Sequence, residues 1–267
     1  MNNTDNIQQR TQLQLENAWV QISAFRMKEG VSEYQVMIHA TRPEQTYSEQ
    51  LNAVLDTYYN LLEKELKGAT AVFKRYFLSD AANQVDGLMA QLPECDTCGC
   101  SVIQQAPLNG TKIALWVYLL TDIETSALSC GLFEATHSTY RHLWGGSASN
   151  QAKNSEYQTR LLLKDYILQL MEQGGYLAEN CIRTWFFVQN VDVNYAGVVK
   201  ARNEVFFTQN LTEKTHYIAS TGIGGRQADP SVSVQLDTYA VIGLKREQIR
   251  YLYAPTHLNP TYESGVS

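Results

Sequence analysis

Proline is scarce, with 6 in 267 residues, and only 18% of the chain is charged against 44% apolar. That balance excludes disordered and collagen-like chains. No window is a Lys/Arg run of the kind that neutralises phosphates, and the net charge is −6, so nucleic acid is not an expected partner. No stretch approaches the ~18 apolar residues a bilayer span needs, so no membrane partner is expected. The polar start Met1-Asn2-Asn3-Thr4-Asp5-Asn6 carries no hydrophobic segment behind a basic residue. A secretory signal is therefore not expected, and the cytoplasm is the default location.

Histidine is also sparse. His39, His137, His142, His216 and His257 show no H-x-x-x-H or H-E-x-x-H spacing, which argues against a zinc hydrolase. Among them His216 alone lies beside a candidate pocket segment. Ser220 and Thr221 have no nearby His in sequence, so a Ser-His-Asp hydrolase has no support. Gly222-Ile-Gly-Gly225 reads as a loop between strands that opens no helix, so it makes a poor phosphate cradle. A backbone bend or bulge explains those glycines better. No cofactor and no metal is expected.

The five cysteines are an odd number, which fits reduced thiols better than a disulfide framework. Three of them form Cys95-Asp-Thr-Cys98-Gly-Cys100, read as a loop over 95–100. Neighbouring thiolates suit a soft cation, but a fourth ligand would have to come from Cys130 or His137. The alternative is a solvent-facing loop with inert thiols.

What is present is a pattern of elements. Ala18 to Phe25 and Tyr34 to His39 alternate as strands around Gly30. Leu51, Val54, Leu55, Tyr58, Leu61, Leu62 and Leu66 recur at helical spacing over Thr46–Leu66, closed by Lys67-Gly68. Ala71 to Leu78 is an aromatic strand, followed by a short helix ending near Leu92. Strands Ser101 to Gln105 and Lys112 to Leu120 flank a turn at Pro107-Leu-Asn-Gly110.

The order then repeats. Strands lie near Thr136 to Trp144, broken by Gly145-Gly146. A helix over Tyr157–Glu172 carries Leu163, Tyr166, Ile167, Leu170 and Met171 and ends at Gly174-Gly175. Next come the strand Cys181–Val188, a helix over Tyr195–Phe207, and strands His216–Ser220 and Val232–Val241. Tyr76-Phe77 lies opposite Trp185-Phe186, about 110 residues on, and Trp116-Val-Tyr118 lies opposite Asp237-Thr-Tyr239. A repeat this long is a duplicated domain. The expected fold class is α+β, with two tandem β-β-α-β-α-β halves, over 1–125 and 126–267. Helices would pack on one face of each mixed sheet.

The second half resembles the Rid superfamily (YjgF/YER057c/UK114), a group that older descriptions pair with translation inhibition or endoribonuclease activity. Tyr157-Gln-Thr-Arg160 is similar to the family's Q-T-R helix start, and Cys181-Ile-Arg-Thr-Trp-Phe-Phe-Val188 to its V-x-x-T-x-F strand. Tyr195–Phe206 is similar to its Y-x-x-F/V-N helix, and Val232–Val241 to its closing strand. The first half is similar in outline through Gln50, Leu78-Ser79-Asp80 and Lys112–Leu120. The resemblance implies the YjgF/chorismate-mutase-like fold and a homo-oligomer, a trimer in single-domain members, with ligand clefts between subunits. A duplicated chain could satisfy one or more of those interfaces internally.

The resemblance also implies chemistry. Family imine and enamine hydrolases hold a small carboxylic acid with an Arg after P-x-R and order water with an acidic residue of the closing strand. Asp237 matches that acidic position. Tyr217-Ile-Ala-Ser-Thr-Gly222 puts Ala219 or Ser220 where the Arg would stand, which removes a bidentate carboxylate clamp. A duplicated branch, the chorismatases, releases pyruvate from chorismate. Arg183-Thr-Trp185, Ala219-Ser-Thr-Gly222 and the segment Tyr251–Pro260 are similar to it.

The candidate catalytic residue is therefore Asp237, which shares a strand face with Gln235 and Tyr239. The candidate substrate-binding residues are Arg202, Arg183, Trp185, Ser220, Thr221, Gly222 and Arg226. Arg202 falls on the apolar stripe of its helix with Val198, Val199 and Phe206. It either reaches into a cleft to replace the missing Arg or lays its stem on apolar surface with its head in water. Arg183, Trp185 and Phe187 share a face, either as an aromatic-acid clamp or as packing. Three functions stay open: a hydrolase or lyase acting on a small carboxylic acid, a chorismatase-like enzyme, and a non-catalytic binder.

Overall fold

A computed structural model of the protein describes residues 7–26, 30–93 and 98–252. Among the described residues, no helix is long and apolar enough to cross a membrane. The chain forms two compact units. The first holds residues up to 128 with 133–138 and 227–229; the second holds 129–132, 139–226 and the residues from 230.

The first unit runs β1 (Ile7–Gln14), β2 (Ala18–Arg26), β3 (Glu33–Ala40), α1 (Tyr47–Lys64), β4 (Ala69–Leu78), α2 (Ala81–Met89), β5 (Gly99–Gln104) and β6 (Ile113–Thr121). Two short strands, β7 (Glu124–Ala127) and β8 (Phe133–His137), form an antiparallel pair. The first sheet has the order β1-β2-β3-β6-β4-β5 and is mixed, since β4 and β5 run parallel. Thr46 caps α1 in a reciprocal capping box with Glu49, satisfying backbone donors that a helix start leaves open. The α1 stripe Leu51, Val54, Tyr58 and Leu61 packs on Val20, Ile38, Leu115 and Val117 of the sheet, all buried.

The second unit continues with β9 (Tyr140–Ala148), α3 (Ser155–Glu172), α4 (Leu177–Asn180), β10 (Cys181–Val188), α5 (Val191–Thr208), β11 (Ala219–Gly224) and β12 (Val234–Ile242). Within the second unit the strand order is β11-β10-β12-β9, with β10 and β11 parallel. Fold class α+β is therefore observed, and each half contains the β-β-α-β-α-β run with one further strand at either end and, in the second half, the short helix α4 inserted. Phe73 of β4 pairs with Gly99 and Tyr118, and Arg183 of β10 pairs with Ala219 and Tyr239. Both strands carry an irregularity just before that residue, between Ala71 and Phe73 and between Cys181 and Arg183. The repeat thus extends to sheet defects.

The Gln of the Q-T-R helix start has a structural task. Gln158 is 1% exposed; its amide donates to Ala152 O and Ser231 O and accepts from Ser233 N and Val234 N. Gln50 in the first unit donates to Arg42 O and Gln45 O and accepts from Lys112 N. Each glutamine staples the loop entering a helix to the start of a central strand.

Several expectations need correction. Gly145-Gly146 does not break its strand, because β9 runs through both to Ala148. A Cβ at Gly145 would sit 2.6 Å from Thr238 Oγ1, so the glycine permits a close strand pairing. The strand expected at His216–Ser220 is instead Ala219–Gly224, and Gly222 lies inside it, opposite Phe186. Met171 belongs to the α3 stripe by spacing but is 55% exposed. Cys100 lies on β5, not in a loop, and Cys98 and Cys100 pack against the first unit's apolar core. Cys95 lies outside the described residues, among which no group of three or more His, Cys, Asp or Glu side chains is placed to hold a metal. His257 and the segment from 253 on also lie outside them.

Candidate functional site

In the second unit, α5 turns its stripe Val198, Val199, Arg202, Val205 and Phe206 inward, and all five are buried. Spacing of three and four residues forces Arg202 onto that stripe. Its side chain is 7% exposed, so the alternative with its head in water does not hold. The guanidinium donates through Nε and Nη2 to Asn203 Oδ1, at 3.2 and 3.1 Å. Burial pushes its pKa below the ordinary arginine value, with the neighbouring Tyr195 hydroxyl opposing that shift. Among the described residues it makes no ion pair. Arginine keeps its proton in proteins, so this is a buried cation held by neutral groups.

Arg202 is among the residues that line a cavity of 490 Å³. On one side lie Asn203, Phe206 and Phe207 of α5; on the other lie Leu211, Tyr217 and Ile218 of the connector to β11. Ser220 of β11 also lines it, and Thr184 Oγ1 donates to Ser220 Oγ at 3.0 Å. Glu213 and Lys214 line the cavity too, and both are exposed. Gly222 sits where any Cβ would come within 2.4 Å of Tyr195 Cε2. The glycine is there for close packing of strand against helix, not to cradle a ligand.

Side chains alternate across a sheet. Ser220, Gly222, Thr184 and Thr238 face the helices. Arg183, Trp185, Thr221, Asp237 and Tyr239 face the other way, with Trp185 paired to both Thr221 and Asp237. Arg183 Nη2 donates to Thr221 Oγ1 at 3.0 Å, and its Cζ lies 5.0 Å from the Trp185 ring centre. Trp144 stacks on Tyr239 at 4.1 Å, and Tyr239 Oη lies 2.8 Å from His142 Nδ1. Asp237 is wholly buried. Its Oδ1 accepts from Ser147 N at 2.9 Å and from Gln235 Nε2 at 3.4 Å. Ser147 has φ +55° and stands in the bulge where β9 slips against β12, so Asp237 satisfies a displaced backbone donor.

The sequence candidates therefore fall into two groups. Arg183, Trp185, Thr221 and Asp237 come together on the face away from the helices. Arg202 and Ser220 come together at the cavity on the helix face. Arg226 is exposed beyond the end of β11. His216 is a structural residue whose Nε2 lies 2.7 Å from Ala178 O, with its ring on Tyr251. Sequence reasoning missed the cavity walls. Phe206 was reachable as Arg202 plus one helical turn, but Leu211, Tyr217 and Ile218 sit in an aperiodic connector.

No family model matches the chain, and no curated protein matches it. Solved structures similar to it include a chorismatase, at 15% identity and TM-score 0.44, covering 64% of this chain and 48% of that one. A member of the YjgF/YER057c/UK114 family from Mycobacterium tuberculosis is 16% identical, with TM-score 0.32, covering 41% of this chain and 84% of that one. E. coli TdcF with bound serine is 12% identical, with TM-score 0.32, covering 41% and 85%. The solved structures similar in fold to this chain thus include members of the same Rid group, and a chorismatase, that its sequence motifs resemble.

Proposed function

We propose that the protein binds a small carboxylic acid in the cavity between α5 and β11, with Arg202 as the anion anchor. The observation that carries this reading is a buried arginine, Arg202, without a carboxylate partner among the described residues, in the wall of a cavity of 490 Å³. Burying an unpaired charge costs several kcal/mol, and a ligand carboxylate would offset that through two charge-assisted bonds. The volume lies within the range of small-molecule sites. On this reading α5 supplies the guanidinium that a strand supplies in the family, where this chain has Ala219 or Ser220.

Binding is favoured over catalysis at this site because Asp237 points from β12 to the sheet face opposite the one that α5 and Arg202 cover. A second reading keeps chemistry on the other face, where Asp237 would act as acid or base beside Arg183 and Trp185. Arg183 Nε favours it, being buried without a hydrogen-bond acceptor among the described residues. Thermal shift against chorismate, hydroxybenzoates, pyruvate and 2-ketobutyrate tests the first reading. Shifts lost in Arg202→Met support it, and no shift from any carboxylate overturns it. Pyruvate release from chorismate, abolished in Asp237→Asn, is the result the second reading needs. The trimer expected from the family is part of the proposal and is read from native mass.

A further inference from the structure

The shape and chemistry of the Arg202 cavity narrow its ligand further. We infer that it takes an arylalkanoic monocarboxylate: one carboxylate on a short linker to an aromatic ring. This rests on the reading of Arg202 as the anion anchor. Arg202 is the one buried cation among the residues that line the cavity, and Lys214 and Glu213, both exposed there, carry opposite signs. A single guanidinium matches one carboxylate bidentately; a phosphate ester or a dicarboxylate would leave a negative charge without a partner.

The walls argue for a ring. Phe206, Leu211 and Ile218 are buried, at 5%, 2% and 9% exposure, and Phe207 and Tyr217 add two further aromatic surfaces. A ring can meet them edge-on or offset-stacked. Acetate or pyruvate would reach Arg202 yet leave most of 490 Å³ to water against apolar walls. Burying a phenyl group there would strengthen binding roughly 10- to 100-fold over the ringless acid.

Calorimetric titration of the full-length chain tests this with matched ligands: acetate, propionate and pyruvate against phenylacetate, 3-phenylpropionate and indole-3-acetate, with phenylacetamide as the uncharged counterpart. The aryl acids should bind at least about 10-fold tighter than their ringless partners. Phenylacetamide should bind at least about 10-fold more weakly than phenylacetate. Phe207→Ala, at a side chain 73% exposed, should weaken the aryl acids severalfold and by a larger factor than it weakens acetate. Equal binding of acetate and phenylacetate would overturn the aryl inference while leaving the anchor intact. Equal binding of phenylacetate and phenylacetamide would overturn the anchor itself. Binding by neither series would overturn both.

Discussion

Replacing Arg202 by Met separates an anion anchor from a structural arginine, because the two roles predict opposite signs. Met keeps the length of the stem and the inward packing of α5 but removes the charge. In the free protein the guanidinium is held by the Asn203 amide and the neighbouring Tyr195 hydroxyl. Effective desolvation of a buried ion costs several kcal/mol, and bonds to neutral groups offset only part of that. The variant should therefore be as stable as the parent or up to about 2 kcal/mol more stable. For a unit of this size that is a rise of up to roughly 8 °C in Tm. Ligand binding should move the other way. Two charge-assisted hydrogen bonds are each worth about 1.5–3 kcal/mol, so losing both weakens binding by at least roughly 100-fold. Scanning calorimetry with and without phenylacetate reads both quantities on one sample. A Tm drop of several degrees with undiminished binding would refute the argument and make Arg202 part of the scaffold.

Four further outcomes follow from the geometry. Gln158→Leu should cost about 2–5 kcal/mol in urea unfolding, because two strand amides and two carbonyls lose their partner; an unchanged midpoint would count against the staple. Gly222→Ala should destabilise by about 1–3 kcal/mol, since the new methyl would lie 2.4 Å from Tyr195 Cε2; the same urea titration reads it, and an unshifted midpoint would refute the close packing. Asp237→Ala should cost about 1–3 kcal/mol by removing the acceptor of Ser147 N, whereas Asp237→Asn keeps an acceptor there and should cost less; comparing the two Tm values checks this, and equal losses would refute it. Burial raises the Cys181 thiol from 9.0 to about 12, so above pH 9 the unfolded chain loses a proton the folded chain keeps. Stability from this group is complete below about pH 9 and lost as pH climbs towards 12. Cys181→Ala should flatten the first part of that decline in a Tm-against-pH series, and an unaltered curve would refute the assignment.

Much of this fold is legible in the residues, for identifiable reasons. The run Cys181–Val188 is a strand because branched and aromatic residues crowd it, and its bounds match those of β10. Leu51, Val54, Tyr58 and Leu61 announce α1 through their spacing of three and four residues. Strand β1 is illegible because Gln8, Gln9, Gln12 and Gln14 hide any apolar alternation, yet the whole strand pairs with β2. The glycines at 145–146 and 222–225 mislead because a turn and a close approach both demand a missing side chain. For the site, helical spacing places Arg202 inward, and alternation groups Asp237 with Gln235 and Tyr239. Alternation does not say which sheet face the helices will cover. Only the fold reveals that Arg202 and Asp237 stand on opposite sides.

The strand order has a consequence for how the chain comes into being. In the first sheet β6 is inserted between β3 and β4, although both precede it in the chain; β12 likewise separates β9 from β10. Until its central strand arrives, each sheet exists as two fragments with bare inner edges, a recognised route to mispairing. A ribosome must therefore deliver residue 121 before the first sheet can seal, and residue 242 before the second. Synthesis passes through two intervals of open edges, each ended by one late strand that supplies long-range pairings at once, and such non-local closure is slow.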